Sequence, residues 1–173
     1  MISARSEVTV DVRNRQRTHP INLDRLRQLA IEALLFCQCR ARTHTGLRVV
    51  APRTKAGNPA GVPALQNLSI VLVSDTAMAR FNQQYHATDG TTDVLSFDYG
   101  AGHGELIISV PRAVAQARQF RTTPSRELAL YVVHGILHLQ GHDDLTPGPR
   151  RRMRAAECRL LRKLDFRGLL PVR

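Results

Sequence analysis

Residues 124–144 read PSRELALYVVHGILHLQGHDD. Thr123 with Pro124 marks a helix start, because a capping hydroxyl precedes a proline in the first turn. The helix is expected to run to Gly141, a residue able to take the left-handed conformation that ends a helix and turns the chain back. His134 and His138 stand four residues apart, so on a helix they project from one face and can share one ion. Asp144 follows six residues after His138, just past the glycine turn. The spacing is therefore His, three residues, His, two residues, Gly, two residues, Asp.

That spacing resembles the extended zincin pattern, in which the residue after the glycine turn supplies the third ligand. Asp144 is the favoured third ligand and His142 the rival. A continuous helix rising about 1.5 Å per residue would carry His142 roughly 12 Å from His134, so it converges only if the glycine turn redirects it. Asp143 is a candidate to fix an imidazole from behind. Two nitrogens and one oxygen suit zinc first, with manganese or iron as the harder alternatives. Gly135 stands where zincin proteases carry their glutamate base, which disfavours peptide hydrolysis.

Working outward, Glu7–Val12 (EVTVDV) alternates apolar and polar residues and is expected to open a sheet. Asn22–Cys39 carries Leu23, Leu26, Ala30, Leu34 and Cys37 at helical spacing. Residues 41–63 turn to Gly, Pro, Thr and Arg without a period and are expected to be a loop insertion. Asn67–Val73 (NLSIVLV) predicts a strand, and Ser74 with Asp75 starts a helix whose buried stripe is Met78, Phe81 and Tyr85. Thr91–Tyr99 and Glu105–Val110 are expected as an antiparallel pair, followed by a helix from Pro111 to about Arg121. A last helix runs from about Gly148 to Asp165, within a basic C-terminal segment, 148–173. The predicted fold is a single-domain α/β (α+β) arrangement, a small mixed sheet packed with helices and carrying a zincin-like metal-binding helix.

The 173 residues suffice for one domain with its own core. Lys and Arg number 25 against 14 Asp and Glu, a formal charge of +11, which points to a polyanionic partner. Arg150, Arg151, Arg152, Arg154, Arg159, Arg162, Lys163 and Arg167 load the last helix, opposed there by Glu157 and Asp165. That run is a candidate surface for RNA backbone or ribosome docking. Arg13, Arg15 and Arg17 are candidates to extend it. The start of the chain has no signal-peptide pattern. The longest mostly apolar stretch, Leu128–Leu139, is too short to span a bilayer and is interrupted by His134 and His138. Cys37, Cys39 and Cys158 form no disulfide framework, and Cys37 with Cys39 falls in an amphipathic helix, so packing in a reducing cytoplasm is expected.

In these residues the chain resembles the YbeY family of bacterial endoribonucleases and rRNA maturation factors. Its signature helix reads HGxLHLxGYDH, and seven of the nine specified positions are met in HGILHLQGHDD. The departures are His142 at the usual tyrosine and Asp144 at the usual third histidine. A Tyr-Arg dipeptide followed by a TDVLSF strand is matched by Tyr85 and His86 followed by Thr92, Asp93, Val94, Leu95, Ser96 and Phe97. A Gly-Asp-Ile type strand is similar to Gly104, Glu105, Leu106 and Ile107 leading to Ser109. The resemblance covers about Asn67–Glu157. It implies a zinc-dependent, single-strand-specific endoribonuclease acting in 3′-end maturation of small-subunit ribosomal RNA and in ribosome quality control, with RNA and the small subunit as partners.

The family's functional arginine falls at His86, which becomes a candidate phosphate contact or proton carrier. Asp93 is a candidate to orient an imidazole or a water, and Ser96 to donate to a phosphate oxygen. Glu127 and Tyr131 share the histidine stripe and are expected to be structural. Two other functions stay open: a non-catalytic RNA-binding assembly factor with a structural metal, and a metal hydrolase of another substrate.

Overall fold

A computed structural model describes residues 8–43, 65–86 and 91–170. The elements run β1 (Thr9–Asn14), α1 (Leu23–Thr43), β2 (Asn67–Val73), α2 (Asp75–His86), β3 (Val94–Gly100), β4 (His103–Ser109), α3 (Val110–Phe120), α4 (Pro124–Leu139) and α5 (Pro147–Phe166). This is the mixed α/β class expected. The strands form one sheet in the order β1-β2-β4-β3. β1 pairs parallel with β2 from Thr9↔Asn67 to Asn14↔Leu72, and β2 parallel with β4 from Asn67↔His103 to Val73↔Ser109. β3 returns antiparallel on β4, with Val94 opposite Ile108 and an irregularity between Asp98 and Gly100.

Successive strand residues point to opposite faces, and the core divides accordingly. Leu68, Ile70 and Leu72 of β2, with Leu106 and Ile108 of β4, face a large cluster built by α1, α4 and α5. Val71, Val73 and Ile107 face the other way, where Met78 and Phe81 of α2 cover them. β2 is therefore buried on both faces over its second half, which explains its unbroken apolar run.

α4 is the central helix, packed against α1, α3, α5, β3 and β4. Its start is closed as expected: the Thr123 hydroxyl accepts from Arg126 N at 3.2 Å, and Pro124 occupies the first turn. The buried Glu127 carboxylate accepts from the Thr122 hydroxyl, satisfying the acid locally. Gly135 lies against the sheet. A Cβ there would meet Leu106 Cδ2 at 2.5 Å and Ser96 Oγ at 3.2 Å, so the helix approaches β4 only because this residue has no side chain. α5 joins the same core through Met153, Ala156, Leu160 and Leu164. Its end is tied to α1 by Arg25, whose guanidinium donates to the carbonyls of Gly168, Leu169 and Leu170 at 2.9–3.2 Å.

Several expected bounds move. β1 spans Thr9–Asn14 against the expected Glu7–Val12; Glu7 lies outside the described residues, and parallel backbone pairing to Leu72 carries the strand past Val12. β3 begins at Val94 rather than Thr91; Thr92 and Asp93 precede the strand and line a cleft, with the Asp93 carbonyl still accepting from Ser109 N at 3.0 Å. Of the expected insertion 41–63, residues 41–43 complete α1 and the remainder lies outside the described residues. No described helix is long and apolar enough to cross a membrane.

Candidate metal centre

The end of α4 delivers the site. Gln140 leaves helical geometry and Gly141 takes φ +83°. Gly141 N donates to His138 O at 2.9 Å and His142 N to Leu137 O at 3.0 Å, the paired bonds of a Schellman turn. This turn folds the chain back so that Asp144 faces the two histidines. One donor atom each from His134, His138 and Asp144 lies within 4.8 Å of the others.

The imidazoles are oriented from behind. His134 Nδ1 stands 2.7 Å from Glu157 Oε1 on α5, and His138 Nδ1 stands 3.1 Å from the His142 carbonyl oxygen. A carboxylate and a carbonyl only accept, so each Nδ1 carries the proton and donates. With both rings neutral, this tautomer gives each Nε2 a bare lone pair, and the two atoms face each other at 3.0 Å. Asp144 Oδ1 lies 3.8 Å from His138 Nε2. Two lone pairs and a carboxylate turned toward one point repel unless a cation lies among them. Nitrogens sharing a tetrahedral zinc at about 2.0–2.1 Å sit roughly 3.3 Å apart, close to this spacing. These residues fit a divalent ion. Burial, then the neighbouring His134, holds the His138 pKa below the usual imidazole value, which keeps its lone pair available at neutral pH.

His142 contributes its carbonyl, and its ring is not among the converging donors. Burial, then Arg159, lowers its pKa, and Arg152 and Glu157 also act on it, so the ring lies in the field of α5. Asp143 does not orient an imidazole in this structure. Its Oδ1 accepts from Leu145 N at 3.0 Å and shapes the loop.

The chain matches the family model described as Endoribonuclease YbeY over residues 11–165. It belongs to the YbeY family. Curated relatives named Endoribonuclease YbeY include one from Solibacter usitatus, 42% identical over 97 residues, which are 56% of this chain and 65% of the relative. Another, from Myxococcus xanthus, is 40% identical over 103 residues, 54% of this chain and 35% of the relative. A third, from Moorella thermoacetica, is 37% identical over 122 residues, 62% and 78% of the two chains. The matched region thus spans about a third to two-thirds of the length of the Myxococcus and Solibacter relatives. A solution structure from Thermotoga maritima shares the fold, with TM-score 0.57 at 20% identity over 92% of this chain and 93% of the other.

In this YbeY-family chain the other candidates fall in different places. A cleft of about 310 Å³ beside the donors is lined by Thr92, Asp93, Tyr131, His134, Asp144 and residues of α5. Asp93 lies in it, held by Arg112 at 3.0 Å. Ser96 does not line the cleft. It stands on the same face of β3 as Val94, against α4 at Gly135, where a small residue permits the close approach. His86 ends α2, and its side chain lies outside the described residues. Tyr131 is buried and its hydroxyl has no hydrogen-bond partner among the described residues, while burial, then Asp93, pushes its pKa well above the usual phenol value.

Glu157 is the cleft residue that sequence reasoning missed, its only signal being a lone glutamate within an arginine run. Arg150 and Arg154, expected only as members of the basic run, line the same cleft from α5.

Proposed function

We propose that this chain is a metal-dependent endoribonuclease of single-stranded RNA, one domain with one zinc held by His134, His138 and Asp144. Its proposed role is 3′-end maturation of small-subunit ribosomal RNA and ribosome quality control in the cytoplasm. The observation that carries this reading is the pair of imidazole lone pairs 3.0 Å apart with Asp144 beside them. The relatives named endoribonucleases and the net charge of +11 support RNA as substrate.

When bound, a divalent ion at this site supplies Lewis acidity to a phosphodiester. The chain's own residues supply orientation. Glu157 and the His142 carbonyl hold both rings in the tautomer that presents Nε2, and the Schellman turn holds Asp144 in reach. Asp93 is the acceptor best placed to take a proton, since it lines the same cleft as His134. His86 is the second candidate, as phosphate contact or proton carrier. Position 135 faces the sheet, where a side chain would have to displace Leu106, so a general base there is disfavoured.

The test is cleavage of single-stranded RNA by protein stripped of metal and reloaded with zinc, manganese or iron. Zinc-dependent cleavage, lost with chelator and absent with a peptide substrate, is expected. RNA left intact with every metal would overturn the reading. End-group analysis then separates the nucleophiles, since attack by a 2′-hydroxyl leaves a cyclic phosphate and attack by water does not.

A further inference from the structure

The cleft draws its acids and its cations from different sources, and they are not matched to each other. Each carboxylate is engaged: Asp93 with Arg112 at 3.0 Å, Glu157 with His134 at 2.7 Å, and Asp144 opposite His138 at 3.8 Å. Two guanidinium groups, Arg150 and Arg154 of α5, line the same cleft. Arg150 uses Nε to donate to the Asp144 carbonyl at 2.9 Å, which leaves its two terminal nitrogens available. Arg154 is exposed and has no hydrogen bond or ion pair among the described residues. Residues four apart on a helix share a face, so the two side chains leave the helix from positions about 6 Å apart along the axis.

The rest of the basic run does other work. Lys163 lies over the Phe36 ring at 4.8 Å and Arg167 pairs with Glu32, so both fasten α5 to α1. Arg162 is exposed and does not line the cleft. Arg152 and Arg159 act on the His142 ring, so the α5 cations divide among a cleft-lining pair, a pair beside His142, and residues that brace or coat the outside.

Two open guanidinium forks beside a ligand cluster call for an external anion. A single carboxylate would occupy one fork, whereas a polymer with repeating phosphates meets both, each fork binding phosphate oxygens in bidentate fashion. We propose that Arg150 and Arg154 are this chain's phosphate clamp, holding the backbone of single-stranded RNA beside the metal ligands. The inference rests on the RNA reading above and adds the residues that position the strand. Arg150 also links the clamp to the loop carrying Asp144, whereas Arg154 is bonded to no other described residue and gives the cleaner test.

Binding of a short labelled single-stranded RNA is measured by anisotropy on metal-free protein, across a salt series from about 50 to 200 mM. Arg154→Ala and Arg162→Ala each remove one charge, and the metal content of each reloaded variant is measured alongside. Arg154→Ala is expected to weaken binding roughly tenfold, in line with the loss of one good charge-assisted contact. It should also flatten the slope of log affinity against log salt by roughly 0.7. Arg162→Ala is expected to change affinity less than about twofold. Metal content should match wild type in both. Equal effects of the two substitutions would overturn the clamp while leaving the RNA reading intact. Wild-type protein with no RNA affinity at low salt would overturn both.

Discussion

At its N-terminal end α4 is closed by Thr123, Pro124 and the Thr122–Glu127 bond, whereas its C-terminal end is closed by a Schellman turn through Gly141. Both ends satisfy orphan backbone groups with local chemistry. At the first end the cap positions none of the three converging donors. At the second, the turn sets where Asp144 arrives, and that position decides whether the two histidines have a third partner. Equivalent local devices thus carry unequal functional weight, according to what the chain does next.

Substitutions along α4 and its neighbours test this contrast. His134→Ala is expected to have the largest effect, loss of the bound ion and of metal-dependent cleavage to background, with the helix intact by circular dichroism. Retained metal would show that the centre lies elsewhere. Glu157→Ala should weaken zinc affinity about 10–100-fold in a competition titration, because the His134 tautomer and ring orientation are no longer held. Glu157→Gln keeps an acceptor and should recover part of that loss. Gly141→Ala forces a side chain into the left-handed region at a cost of about 1–2 kcal/mol. Denaturant unfolding should register that cost, and zinc affinity should fall with it as Asp144 is displaced. Thr123→Ala should be the mildest, about 1 kcal/mol of stability with unchanged zinc affinity. If Thr123→Ala reduced zinc affinity as much as Gly141→Ala, the two ends would not differ as described.

The parts of the molecule governed by short-range pattern were legible in the sequence. Asn67–Val73 was placed to the residue, and the pair His134 and His138 with the Gly141 turn followed from helical period and left-handed preference. What the sequence did not disclose depends on packing between distant segments. Glu157 lies 23 residues beyond His134 and reaches it only because α5 folds back along α4. Ser96 sits in a strand that lines the site at its start, yet its own side chain faces the helix, and strand alternation alone does not say which face is which. The arginine run looked uniform until the packing of α5 set Lys163 and Arg167 toward α1 and Arg150 and Arg154 toward the cleft. Gly135 read as the absence of the zincin glutamate base, and the structure adds that a side chain there would have to displace Leu106.

The measurement that bears most directly on the centre is metal stoichiometry and RNA cleavage determined together for wild type and Asp144→Ala. One zinc per wild-type chain, with both metal and cleavage falling in Asp144→Ala, is the predicted result. Wild-type metal content and cleavage in Asp144→Ala would contradict the three-ligand site.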